Sequence, residues 1–167
     1  SWGWDKTLRV WDKKGELTKT LSGHTEVVKG AIELQDRKIL SWSSDGSLRI
    51  WDLESKTSLV NTLNVHTRPI QGAIQLQNSN ILSWSKDNTM RLWSDNGGLL
   101  ATLQMYSIGA LELRGGQFVS WDKDIYLWSQ NGDLITTLKS HTDTIKGILE
   151  LENSYLLSWG MDGNLCL

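Results

Sequence analysis

The sequence predicts an all-β chain made of repeated four-stranded antiparallel units that share a core with their neighbours. Two observations carry this: tryptophan arrives at a fixed period, and between tryptophans the pattern is that of short strands and tight turns. The pair Ser-Trp recurs at Trp2, Trp42, Trp84, Trp121 and Trp159, spaced 40, 42, 37 and 38 residues apart. A second set, Trp11, Trp51, Trp93 and Trp128, is spaced 40, 42 and 35. Nine of the ten tryptophans belong to these sets, and Trp4 alone is extra. A period near 40 residues means stacked supersecondary units, because one such unit cannot bury its apolar face alone.

Residues 22–63 illustrate the strand pattern. An apolar-rich run from 27 to 34 is followed by the polar break Gln35-Asp36-Arg37. Residues 39–43 form a short run that ends at Ser44-Asp45-Gly46, which supplies turn chemistry. Residues 47–52 and 59–63 are the third and fourth strands, separated by the polar stretch Glu54 to Ser58. Apolar stripes at 3.6 spacing, which a helix would need, are missing throughout, and β-branched and aromatic residues fill the strands.

Other landmarks keep the same phase. His24-Thr25, His66-Thr67 and His141-Thr142 precede the first strand of their units, whose strands read KGAIEL, QGAIQL, IGALEL and KGILEL. The pattern His-Thr … Ser-Trp-Ser-x-Asp-Gly-x-Leu-Arg-Ile-Trp-Asp resembles the WD repeat of β-propellers, with Gly23-His24 and Trp51-Asp52 in one unit. The resemblance covers the whole chain. It implies propeller blades of four antiparallel strands, a to d, around a central channel, with strand d on the rim. The units are a partial blade at 1–21, blades at 22–63, 64–103 and 104–138, and a partial blade at 139–167.

The sequence also departs from the family pattern. Trp93-Ser94 and Trp128-Ser129 replace the WD dipeptide, and the third unit carries Met105-Tyr106-Ser107 in place of His-Thr, with a b–c turn two residues shorter. Tryptophan on strand b stands where the family usually has a small residue, so blade packing is expected to be adapted to a bulky ring. The segments SWGWDKTLRVW and SWGMDGNLCL are the same piece of the repeat. The simplest account is a piece of a longer array and a larger ring. A second is a chain that completes its ring with another copy of itself, and a third is a four-bladed monomer with a spare segment.

The resemblance also gives meaning to a recurring His-Ser-Asp set, namely His24, Ser43 and Asp45, then His66, Ser85 and Asp87. As catalysis this would be a base, a nucleophile and an orienting acid. As structure it resembles the hydrogen-bonded tetrad of WD repeats, completed by Trp51 or Trp93. A hydrolase needs one triad in one pocket, whereas this set recurs in each regular blade, so the structural reading is preferred and no enzyme activity is expected. The third unit lacks the histidine and should have a broken tetrad. The last unit keeps His141 and Asp162 but has Gly160 at the expected serine position.

Remaining candidates are weaker. Asp122/Asp124 and Glu150/Glu152 read as solvated edges, and three histidines locked in the repeat register exclude a zinc site. Arg9, Arg49 and Arg91 recur on strand c, where each is expected to stack on a ring or pair with a carboxylate of the adjacent blade.

Composition limits the partner. Seventeen basic against nineteen acidic residues give a net charge of −2, without the basic footprint of a nucleic-acid binder. No apolar stretch reaches membrane-spanning length, and the opening SWGWDK has no leader pattern. A cytoplasmic protein with one cysteine, Cys166, no cofactor and no metal is the expectation. Partner recognition, with protein as the partner class and a homo-oligomer as the alternative, falls to side chains that vary on the constant frame. Beside the turn aspartates these are Trp4, Lys86, Lys123 and Met161. Near the histidine positions they are Glu26, Arg68 and Tyr106, and at the start of strand a Lys29, Gln71 and Lys146.

Overall fold

A computed structural model describes residues 1–55, 58–64, 66–139 and 141–167. The polar stretch from Glu54 to Ser58 includes Lys56 and Thr57, which lie outside the described residues. Seventeen β-strands and no helix occur among the described residues, so none is long and apolar enough to cross a membrane.

Three sheets are complete four-stranded antiparallel meanders. The first joins β3 (Val28–Glu33), β4 (Ile39–Ser43), β5 (Ser47–Trp51) and β6 (Leu59–Asn64). The second joins β7 (Ile70–Gln75), β8 (Ile81–Ser85), β9 (Met90–Trp93) and β10 (Leu99–Leu103). The third joins β11 (Gly109–Glu112), β12 (Phe118–Trp121), β13 (Ile125–Trp128) and β14 (Leu134–Leu138). Before them β1 (Thr7–Trp11) pairs with β2 (Leu17–Ser22), and after them come β15 (Ile145–Glu150), β16 (Leu156–Gly160) and the two-residue β17 (Leu165–Cys166).

First strands pack against first strands of neighbouring sheets, β3 on β7 and β7 on β11, which sets them on the inside of the arc. The core lies between sheets. Leu40, Leu48, Leu63 and Ile50 of one sheet meet Ile70, Ala73, Ile81 and Trp93 of the next. Leu76, Leu82, Trp84, Met90, Leu92 and Leu103 likewise meet Phe118 and Trp128. Fourth strands such as Leu134–Leu138 are largely exposed, as a rim should be.

The bulky tryptophan on each second strand is accommodated by glycine on the strand beside it. Gly30 pairs with Trp42, Gly72 with Trp84, Gly109 with Trp121 and Gly147 with Trp159. The indole lies flat over the glycine Cα: a Cβ at Gly30 or Gly72 would sit 2.2 Å from the ring carbon Cζ2. The glycine makes room for the ring within each blade, between strands a and b, and the ring also packs against the next blade, as Trp84 does on Phe118.

Candidate functional site

Side chains alternate along a strand, so the Ser-Trp dipeptide points two ways. Trp42 covers Gly30, while Ser41 faces the opposite side with Trp51 and His24. The Trp51 indole N–H donates to Ser41 Oγ at 2.8 Å, and Ser41 Oγ lies 2.8 Å from His24 Nε2. His24 Nδ1 is 3.0 Å from Asp45 Oδ2, which also accepts the Thr25 backbone N–H at 2.9 Å. The second complete sheet repeats this with Trp93, Ser83, His66, Asp87 and the Thr67 N–H, at 2.9, 2.9, 2.9 and 3.0 Å. Each chain of bonds is a latch that ties the loop before strand a to the b–c turn, and it explains why His-Thr recurs as a pair.

The network assigns the tautomer. Asp45 must accept from Nδ1–H, leaving Nε2 to accept the serine proton while that serine accepts the indole proton. A neutral histidine satisfies every group in the chain.

Ser43 and Ser85 are not the latch serines; Ser41 and Ser83 are. Both members of each pair lie on one face of strand b, and Ser43 sits closer to the turn. There its Oγ bonds the Val27 carbonyl at 2.9 Å and accepts the Asp45 N–H at 3.1 Å, while Ser85 does the same with Arg68 O and Asp87 N. The last unit is corrected likewise. His141 Nε2 reaches Ser158 Oγ at 3.0 Å and Nδ1 reaches Asp162 at 3.0 Å, so Gly160 costs it nothing. In the third unit Trp128 still donates to Ser120 at 2.9 Å, and the Met105 thioether stands 3.5 Å from that hydroxyl where histidine would be.

Two further readings change. Glu150 is no solvated edge, since its Oε2 accepts the Arg114 backbone N–H at 2.9 Å, and the Glu152 carbonyl meets the Arg114 guanidinium at 3.3 Å. The strand-c arginines find no carboxylate on a neighbouring sheet among the described residues. Arg9 pairs with Asp5 of its own unit at 2.6 Å. Arg49 lies against Gly23 with its Nε unpartnered, and Arg91 is buried with Nε and Nη1 unpartnered.

The latches make stability acid-sensitive. Burial lowers the His66 pKa below its ordinary value against the pull of Asp87, and the Arg91 cation adds to the lowering. Burial opposes charge on Asp87 as well, but bonds from Thr89, His66 and the Thr67 N–H prevail and bring its pKa down to about 2. Similar bonds hold Asp45 well below the usual carboxylate range. Both shifts mean that the unfolded chain binds more protons in acid. The His66 contribution is full above about pH 6.5 and fades below it. That of Asp87 is full above its ordinary value of 3.8 and is lost as pH falls toward about 2. The urea midpoint should therefore drop from pH 7.5 to 5.5 and again toward pH 3; a midpoint flat across that range contradicts the assignment.

All ten side chains proposed for recognition are exposed: Trp4, Glu26, Lys29, Arg68, Gln71, Lys86, Tyr106, Lys123, Lys146 and Met161. Trp4 is the extreme case at 85% exposure. Those near the latches stand on turns fixed by them, since the Lys86 N–H is bonded to Pro69 O at 3.0 Å and Met161 N–H to Thr144 O at 2.8 Å. Among the described residues no three His, Cys, Asp or Glu side chains gather closely enough to hold a metal ion.

No protein-family model matches the chain. It is 42% identical over 59 residues to the nuclear distribution protein PAC1 of Gibberella zeae, covering 35% of this chain and 13% of that protein. An uncharacterized WD repeat-containing protein of Schizosaccharomyces pombe is 42% identical over 57 residues, 33% of this chain and 15% of that one. The nuclear distribution protein nudF of Emericella nidulans is 42% identical over 57 residues, covering 34% and 13%. The matches thus span a small part of these relatives. Among solved structures, the WD40 β-propeller domain of Doa1 superposes with a TM-score of 0.76 at 22% identity, covering 97% of this chain and 57% of that chain.

Proposed function

We propose that this chain, a WD-repeat β-propeller, is a non-enzymatic platform for protein recognition, with its partner-binding side chains on the latched loop face. The observation that carries this reading is the latch itself. Matching His-Asp-Ser networks fix the loops in the units of His24, His66 and His141, while the residues at the corresponding loop positions differ from unit to unit: Trp4, Ser44, Lys86, Lys123 and Met161 precede the turn aspartate, and Glu26, Arg68 and Asp143 follow the histidine. Loops already held in place lose little conformational freedom on binding, so contact energy is retained as affinity. Tryptophan, tyrosine and arginine are the residue types that dominate interface energetics, which singles out Trp4, Tyr106 and Arg68.

Catalysis by the latch is disfavoured on access. The His24 and Asp45 side chains are 0% and 7% exposed, and Ser41 is fully buried with its oxygen already accepting the indole proton. A cytoplasmic setting and the absence of nucleic-acid or membrane partners belong to the same reading, on charge balance and the single cysteine.

The test is a peptide-display library selected on the chain, with the Trp4→Ala/Arg68→Ala/Tyr106→Ala triple variant as comparator. Selected binders should lose tenfold or more in affinity for the variant, about 1.4 kcal/mol or more, while its melting temperature stays put. Binders that hold both proteins equally would place recognition elsewhere.

A further inference from the structure

Each histidine latch fixes a corner where the loop before strand a meets the b–c turn. Two positions on that corner vary: the second residue after the histidine and the residue before the turn aspartate. They are Glu26 and Ser44 in the unit of His24, Asp143 and Met161 in that of His141, and Arg68 and Lys86 in that of His66. Only the corner at His66 places a cation at both.

That corner is held from several sides. Pro69, the chain's one proline, confines Arg68 to an extended backbone. The Arg68 carbonyl accepts the Ser85 hydroxyl at 2.9 Å, and the Pro69 carbonyl accepts the Lys86 N–H at 3.0 Å. Gly46 of the preceding sheet closes against the same loop: at its φ of +79° an added Cβ would lie 2.5 Å from His66 O. Both cationic side chains are exposed, and among the described residues neither meets a carboxylate.

Carboxylates on the same face are already engaged. Asp87, 5% exposed, is bonded to His66, Thr89 and the Thr67 N–H, and Glu26 pairs with Lys6 at 3.8 Å. At the opposite strand ends the acceptors are committed between sheets. There Gln75 Oε1 accepts the Gln35 N–H at 2.8 Å, Glu112 the Gln77 N–H at 2.8 Å and Glu150 the Arg114 N–H at 2.9 Å.

An apolar pair stands at the next junction. In the third unit, which has no latch histidine, the loop is anchored by the residues around the exposed ones. Met105 packs into the cluster of Leu82, Trp84 and Met90 from the second sheet, and Ser107 is buried with its hydroxyl on Gly109 O at 2.7 Å. The Ile108 carbonyl accepts the Trp84 indole N–H at 3.2 Å. Tyr106 and Ile108 are left 42% and 39% exposed, beside the sheet that carries Lys86.

We infer, resting on the recognition role proposed above, that Arg68, Lys86, Tyr106 and Ile108 together bind an acidic peptide segment. Its adjacent carboxylates meet the Lys86 ammonium and the Arg68 guanidinium, whose planar fork matches them. An apolar side chain of the same segment lies against Tyr106 and Ile108.

Parallel peptide-display selections on the parent and on the Arg68→Glu/Lys86→Glu variant test this. Peptides selected on the parent should carry neighbouring Asp or Glu residues close to a large apolar residue, and those selected on the variant should carry Lys or Arg instead. Acidic binders should hold the variant at least about tenfold more weakly, because like charges are brought together. Their affinity for the parent should fall as salt rises from about 0.1 to about 1 M, where the screening length shortens from about 10 to about 3 Å. Both side chains are exposed, so the variant's melting temperature should match the parent's. Arg68→Gln/Lys86→Gln repeats the comparison without added negative charge. Binders with no acidic bias, or binders that hold Arg68→Gln/Lys86→Gln as tightly as the parent, overturn the inference. If such binders still fail on Trp4→Ala/Arg68→Ala/Tyr106→Ala, the recognition platform stands without it; if they do not, or if no binder is selected, both readings fall.

Discussion

Trp51→Ala is expected to destabilise the chain by about 3–5 kcal/mol, the range for removing a large aromatic ring from a packed interior. Trp51 is 1% exposed and fills the space among Leu8, Leu21 and Val28, so it joins the first complete sheet to the β1–β2 pair. Its loss also removes the donor to Ser41 and the edge-on contact with the His24 ring, 6.2 Å between centroids. The buried Ser41 hydroxyl would keep only the imidazole as partner, which is why the cost exceeds that of the cavity alone. Urea denaturation measures it, with Trp4→Ala as reference. At 85% exposure Trp4 should change stability by no more than about 0.5 kcal/mol. Equal effects from the two substitutions would mean that the second tryptophan set is not the core.

Gly72→Ala should be nearly as damaging, about 3 kcal/mol, although alanine is normally the milder residue in a strand. The added methyl carbon would stand 2.2 Å from Trp84 Cζ2 and 2.7 Å from Cε2. The ring cannot retreat cheaply, because Trp84 is packed among Leu82, Met90 and Phe118 and its N–H donates to Ile108 O at 3.2 Å in the next sheet. The rescue is specific: Trp84→Ser in the Gly72→Ala background should cost much less than the two single effects summed, since the clash disappears with the ring. Additive losses would show that the glycine and the indole do not oppose each other.

Much of this architecture is legible in the sequence. The tryptophan period, the Asp-Gly and Asp-Asn turns and the lack of helical stripes fixed the strand order, and the four strands assigned to residues 22–63 lie within two residues of β3 to β6. What escaped was contact rather than pattern. Ser41 and Ser43 share a face of strand b, and a period of two cannot say which of them reaches the histidine. The GAI runs and the Ser-Trp pairs were both visible, yet their opposition depends on the antiparallel register that sets Gly30 against Trp42. The tie through Glu112 and Glu150 was hidden because its donor is backbone and its acceptor alternates between glutamate and glutamine.

The central claim is that buried latches hold a repeated frame rigid, and the exchange of indole N–H protons tests it most directly. In a nitrogen-labelled sample the side-chain signals of Trp51, Trp93 and Trp128 should exchange far more slowly than that of Trp4, because each proton is buried and bonded to a serine hydroxyl at 2.8 to 2.9 Å. Exchange of those three as fast as Trp4 would mean that the bonds do not persist in solution and that the frame is not fixed.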